Sequence, residues 1–273
     1  MPFTLSLAVD LGGLVQCAYD MNNLPDPTKV TLSDPDYSLV NVVYGNNVLV
    51  DVDGFVSFGF IAQSSAAPYS LVVSIRGTED MWDWISNFAF IRKACPLAGA
   101  PPGAETEDGF TNLYQTLRVG PVPAATPLKT AVQNLITSLG ATNVAHVYVC
   151  GHSLGGALAT LAAADLAGLQ LPGALTIYTF ASPAVGEKTF ADWFDGLVPD
   201  SYRIYNGPDI VPTLPPSLIG YTHVDEPFEI NSGPSVVNSV VCHHSLSTYL
   251  HTLDASQPLE AGCSLLALPA ASP

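Results

Sequence analysis

The chain has 273 residues, 48% hydrophobic and 12% charged, with a formal net charge of −16. That composition supplies a large core and excludes general disorder. The negative field comes from scarce Lys and Arg more than from acidic runs; it excludes nucleic acid and anionic membrane surfaces and favours neutral substrates or interfaces.

In chain order, residues 1–19 carry no Lys or Arg and so lack the charged start of an export signal, which an exported protein would have to carry outside this sequence. Leu5, Leu7, Ala8, Leu11, Leu14, Val15 and Ala18 instead suit a buried helix. Residues 39–44 and 48–51 flank a turn at Asn46 and Asn47, and 55–61 follow an Asp-Gly turn; these read as antiparallel strands. A β-branched run over 70–75 stops at Arg76-Gly77-Thr78, and the aromatic stretch 81–91 reads as a helix. Residues 94–107 are a Pro-, Gly- and Ala-rich loop, followed by helical patterns over 110–117 and 127–139. Strands then alternate with helices: strand 144–150, helix 155–169, strand 175–180, helix 185–194, strand 202–205. This order predicts an α/β fold in one domain spanning 1–273: a mainly parallel sheet with helices on both faces and antiparallel strands at its N-terminal edge. No tract has the apolar length of an integral membrane segment.

Of the five cysteines, Cys17, Cys95, Cys150, Cys242 and Cys263, at least one must be unpaired within the chain, and none shows metal-ligand spacing. Cys150, inside an apolar run, reads as a small buried hydrophobe. Neither a metal nor any other cofactor is expected.

The strand at 144–150 runs into Gly151-His152-Ser153-Leu154-Gly155-Gly156, and a helix pattern follows with Leu158, Leu161, Ala162 and Leu166 on one face. This is G-x-S-x-G between a strand and a helix. A serine at a sharp, strained turn needs neighbours without side chains, and the helix N-terminus behind it favours developing negative charge. An ordinary tight turn could carry the same letters; the apolar strand before and the small-residue helix after favour a nucleophile at Ser153. His152 reads as structural.

Several further segments follow in a familiar order: Ser74-Ile75-Arg76-Gly77-Thr78, Trp84-Ile85-Ser86-Asn87, 178–186, Tyr202-Arg203-Ile204-Tyr205-Asn206, and Asp209-Ile210-Val211-Pro212 with Leu214-Pro215-Pro216. Together with 151–156 they resemble the class 3 lipases, the group that includes filamentous-fungal triacylglycerol lipases, over about residues 70–249. The resemblance implies an α/β-hydrolase fold and extracellular action. One departure is Glu107-Asp108-Gly109-Phe110, where the family often has His-x-Gly-Phe.

A serine nucleophile needs a base, and the base an orienting acid; in this hydrolase order both follow the serine. Asp209, in a loop just after the strand at 202–205, is the expected acid, with Asp195, Asp200 and Asp225 as competitors. For the base, His244-Ser245-Leu246-Ser247-Thr248-Tyr249 resembles the family's segment; His243 is the runner-up, His223 reads as structural, and His251 belongs further along the same helix, on its surface. An oxyanion hole would use the backbone N–H of Leu154 and, by resemblance, that of Thr78. Arg76 reads as structural, paired with a buried carboxylate. Resemblance also implies a bridge from Cys17 to Cys263 and a mobile lid over 79–90, where Met81, Trp82 and Ile85 near helical spacing would form an apolar face; an ordinary amphipathic helix packed on the core is the alternative.

The function implied is hydrolysis of acylglycerol or related neutral lipid esters, at an oil–water interface, by a monomer. A feruloyl or other soluble aryl or acyl esterase on the same scaffold is the alternative. A non-catalytic, hydrolase-like binding protein is the remote one.

Overall fold

In the computed structural model, residues 2–46, 54–78, 90–121, 125–169, 171–224 and 226–265 are described. The expected strand at 48–51, the expected lid over 79–90 apart from Phe90, and Asp225 lie outside them.

The N-terminal helix forms as α1 (Leu5–Asn22). Ala8, Leu11, Leu14, Val15 and Ala18 are buried as their spacing predicts, while Leu5 at the open end stays half exposed. The strands β1 (Tyr37–Asn46), β2 (Phe55–Ser64) and β3 (Tyr69–Ile75) follow, paired antiparallel in sequence. A separate ribbon joins β4 (Arg92–Ala94) to β5 (Glu105–Glu107). Next come α2 (Asp108–Thr116), the two-residue strands β6 (Arg118–Val119) and β7 (Thr126–Pro127), and α3 (Leu128–Leu139). The alternating half contains β8 (Val144–His152), α4 (Leu154–Ala167), β9 (Ala174–Phe180), α5 (Lys188–Leu197), β10 (Ser201–Asn206) and β11 (Glu226–Ile230). Two short helices, α6 (Val240–His244) and α7 (Leu246–Leu253), end the described fold.

Among the described residues, nine strands share one sheet in the order β11-β10-β9-β8-β3-β2-β1-β6-β7. From β3 to β11 the pairings are parallel, and from β3 to β7 they are antiparallel. This is the α/β-hydrolase arrangement, with its antiparallel part contributed by the N-terminal half. Both faces are covered. On one, α2, α3, α4 and α5 pack through Phe110, Val132, Leu158, Leu161 and Phe190. On the other, α1 and α7 pack through Leu11, Leu14, Phe60, Tyr178 and Tyr249. Helix α4 is apolar apart from Thr160 and Asp165, and neighbouring elements bury most of it. The expected helix start at 185 moves to Lys188, because the Glu187 side chain accepts from the N–H groups of Thr189 and Phe190 and so sets the cap.

The cysteine pairing corrects the expectation. Cys263 is bonded to Cys242, with 5.2 Å between their Cα atoms, and Cys17 is a free thiol. The tail folds back so that the Val237 N–H donates to the Cys263 carbonyl at 3.0 Å, which sets Cys263 beside α6. Cys17 stays buried in α1, its Sγ accepting from the Ser33 N–H at 3.2 Å. Cys150 is fully buried, and burial pushes its thiol up to about 12.

Candidate functional site

The parallel strands deliver their carboxyl ends to one edge of the sheet, where α/β folds place their ligands. Strand β8 ends at His152 and α4 begins at Leu154, leaving Ser153 alone in the turn at φ 58°, ψ −129°. A positive φ costs a non-glycine residue on the order of 1–3 kcal/mol and persists only where its surroundings enforce it. Here the Ser153 N–H donates to the Phe180 carbonyl at 2.9 Å. The flanking glycines serve close approach: a Cβ on Gly151 would collide with the Gly155 carbonyl, and one on Gly155 with the carbonyls of Ile75 and Arg76.

Ser153, His244 and Asp209 come together from positions 91 and 35 residues apart in sequence. The His244 Nδ1 lies 2.8 Å from Asp209 Oδ2, and its Nε2 lies 2.8 Å from Ser153 Oγ. A carboxylate oxygen only accepts, so the proton sits on Nδ1 and the Nε2 lone pair faces the serine hydroxyl. Asp209, in the loop after β10, is 2% exposed. Its Oδ1 accepts from the Val211 N–H at 3.0 Å, and its Oδ2 also accepts from the Tyr249 hydroxyl at 2.7 Å. Tyr249 in turn accepts from the Asn206 N–H at 3.0 Å, and Asn206 Nδ2 donates to the His243 carbonyl at 2.9 Å. His244 closes α6, and the extended backbone of Ser245 at φ −55°, ψ 132° separates it from α7. The single helix expected through 244–251 is therefore two.

The other expected residues fall as follows. The His243 ring turns away from the serine, its Nδ1 3.1 Å from Ser232 Oγ and its Nε2 3.1 Å from Asn238 Oδ1. His223 Nε2 donates to the Pro212 carbonyl at 2.6 Å, and burial pulls its imidazole down to about 4, which suits a structural role. His251, half buried in α7, donates from Nδ1 to the Gln257 carbonyl at 2.7 Å. Asp195 is exposed on α5 and Asp200 precedes β10. Leu154 opens α4, and Thr78 lies just past the end of β3. A Cβ built on Gly77 would lie 3.0 Å from that of Ser153, so the segment leading to Thr78 runs beside the serine. Met81, Trp82 and Ile85 lie outside the described residues.

Arg76 is buried and donates to the carbonyls of Ser57 and Gly77 and to Asn22 Oδ1 at 2.7–2.8 Å, with its guanidinium over the Phe58 ring. At the sequence departure, Glu107 caps α2: its Oε2 accepts from the Phe110 N–H at 2.7 Å. Burial pushes its carboxyl up to about 7. Tyr249 and Asn206 sat inside the segments that carried the resemblance, but spacing does not reveal whom a hydroxyl or carboxamide will meet. Tyr19, whose hydroxyl reaches His152 Nδ1 at 2.8 Å, carries no sequence signal at all.

The chain is similar to known proteins. The family described as Lipase (class 3) matches residues 72–219, more than half of the chain. Secreted mono- and diacylglycerol lipase 1 of Fusarium solani is 34% identical over 176 residues, 64% of this chain and 48% of that protein. Phospholipase A1-IIgamma of Arabidopsis thaliana is 30% identical over 209 residues, 68% of this chain and 49% of that protein. The chain thus spans about half the length of these relatives. The crystal structure of the lipase from Rhizopus microsporus var. chinensis superposes with a TM-score of 0.66 at 28% identity, covering 83% of this chain and 74% of that one.

Proposed function

We propose, from the premise that this chain belongs to the class 3 lipase family, that it hydrolyses neutral acylglycerol esters with Ser153 as nucleophile, His244 as base and Asp209 as orienting acid. The observation that carries the reading is the unbroken hydrogen-bonded path from Ser153 Oγ through His244 to Asp209, with the serine held at positive φ at the head of α4.

The chemistry follows from that path. Ser153 Oγ attacks the acyl carbon while its proton passes to His244 Nε2. The carbonyl oxygen takes the negative charge, and the backbone N–H groups of Leu154 and Thr78 stabilise it, helped by the N-terminus of α4. As the intermediate collapses, His244 returns the proton to the departing glyceryl oxygen and leaves the acyl group on Ser153. Water then repeats the sequence: His244 takes its proton, the hydroxyl attacks the acyl carbon, and the fatty acid leaves as Ser153 recovers its hydrogen. The three donors to Asp209 fix the orientation of the carboxylate that holds the imidazole.

Neutral substrates suit a chain of net charge −16, which repels anionic lipid surfaces. The names of the two relatives divide between mono- and diacylglycerol lipase and phospholipase A1, so the decisive comparison is between those classes. A p-nitrophenyl ester series of increasing acyl length, run beside emulsified diacylglycerol, phosphatidylcholine vesicles and a feruloyl ester, tests the reading. Fastest turnover is expected on the diacylglycerol. Preference for phosphatidylcholine or the feruloyl ester would reassign the substrate, and inertness towards all would return the chain to a binding role.

A further inference from the structure

Behind the triad, a second hydrogen-bonded path links two parts of the site that lie far apart in sequence. The Gly77 N–H donates to the Tyr19 hydroxyl at 2.9 Å, Tyr19 Oη lies 2.8 Å from His152 Nδ1, and His152 Nε2 lies 2.8 Å from the His244 carbonyl oxygen. The direction is fixed by the last link. A carbonyl only accepts, so Nε2 carries the imidazole proton, Nδ1 is the lone pair, and the Tyr19 hydroxyl donates to it. The path therefore runs Gly77 N–H to Tyr19 O–H to His152 N–H to the carbonyl of His244.

Each end touches the reaction. Gly77 precedes Thr78, the proposed oxyanion donor, and His244 carries the proposed base. The His244 carbonyl closes the short helix α6, where backbone acceptors lose their intrahelical partners. The His152 and His244 rings also pack together, with centroids 4.8 Å apart. The absence of a side chain at Gly77 makes room for this path, since a Cβ there would stand 2.6 Å from the Tyr19 hydroxyl and 2.9 Å from the His152 carbonyl. His152 stays neutral: burial first, and the neighbouring His244 second, hold its imidazole well below the ordinary histidine range. No second positive charge then faces the imidazolium that His244 becomes during turnover.

We propose that Tyr19 and His152 are positioning residues, which lock the strand end bearing the oxyanion donor to the backbone of the base so that both keep one distance from Ser153. This rests on the hydrolase reading above. Productive geometry tolerates errors of well under 1 Å, and misplacement on the order of 1 Å can cost roughly a hundredfold in rate.

The test compares wild type with Tyr19→Phe, His152→Gln, His152→Leu and the Tyr19→Phe/His152→Leu double variant on soluble p-nitrophenyl butyrate. Fluorophosphonate titration of Ser153 supplies the active-site concentration. Tyr19→Phe is expected to lower kcat about tenfold or more with KM within about twofold. His152→Gln, whose amide N–H can still reach the His244 carbonyl, should retain more kcat than His152→Leu. The double variant should be little worse than His152→Leu alone, because both cut one path. Should His152→Leu fail to fold, Tyr19→Phe and His152→Gln carry the test. Unchanged kcat in a titratable Tyr19→Phe enzyme would overturn the positioning role alone, as would losses that multiply independently in the double variant. An inert wild type would overturn the hydrolase reading and this proposal with it.

Discussion

At the scale of single residues, His243 and His244 show how one position in sequence separates two roles. His244 faces Ser153 and Asp209, whereas the His243 ring is engaged by Ser232 and Asn238. His244→Ala is expected to lower kcat by about three orders of magnitude or more. His243→Ala should keep most of the turnover of the folded enzyme and instead lose about 1–2 kcal/mol of stability from its broken hydrogen bonds. Parallel kinetics and thermal melts of the two variants check the register; a dead His243→Ala beside an active His244→Ala would reverse it. Glu107 supplies a second prediction. Its folded pKa is pushed from the ordinary 4.5 up to about 7 by burial. Between those values the folded state binds the proton that the unfolded chain releases, so stability is full below about pH 4.5 and falls as pH rises through 7, by up to about 3 kcal/mol. Glu107→Gln keeps an acceptor for the Phe110 N–H and removes the titration. The difference in melting temperature between wild type and variant should therefore move in the variant's favour from pH 5 to pH 8; a pH-independent difference would contradict the assignment. Ser153 is marked in sequence by its glycine-flanked strand–turn–helix, whereas Asp209 and His244 were singled out by resemblance; the structure brings the three side chains into hydrogen-bond contact. Glu107 was legible only as a departure, since its burial depends on packing.

The elements that carry these residues were read less evenly. β8, α4 and β9 stand within one or two residues of expectation, because a continuous apolar run, a glycine turn and a small-residue helix are local signals. The break between α6 and α7 at Ser245 was not legible, since 240–253 has no glycine or proline to mark it. The disulfide was misassigned for a related reason. The Cys17–Cys263 bridge came from resemblance, while the pairing is decided by where the tail turns back onto α6. The Cys242–Cys263 bond spans a sequence separation of 21 and holds the helix that ends in His244. In the chain-entropy view a loop of that size stabilises by about 3 kcal/mol. Reduction, or Cys242→Ser with Cys263→Ser, should lower the denaturation midpoint accordingly. Non-reducing peptide mapping should recover the linked 242 and 263 peptides, and finding both as free thiols would contradict the pairing.

For the whole molecule, one sheet edge gathers what the chain disperses. The ends of β3, β8 and β10 bring Gly77, Ser153 and the Asp209 loop to one side, and the tail returns His244 across them. The two cores on either face hold that edge rigid, which is what a site depending on 2.8 Å contacts requires. The overall α/β order was legible from alternating strand and helix patterns. The path through Tyr19 and His152 was not, because it joins α1 to the far end of β8 through tertiary packing alone. The proposed mechanism stands on Ser153 being the group that forms a covalent bond to the acyl carbon. Its most direct test is to treat the full chain with a fluorophosphonate at neutral pH and map the adduct by mass spectrometry, beside Ser153→Ala and a p-nitrophenyl ester assay. One adduct is expected, on the peptide containing Ser153, with labelling and hydrolysis lost together in Ser153→Ala; an adduct at another residue, or ester hydrolysis that survives in Ser153→Ala, would contradict the mechanism.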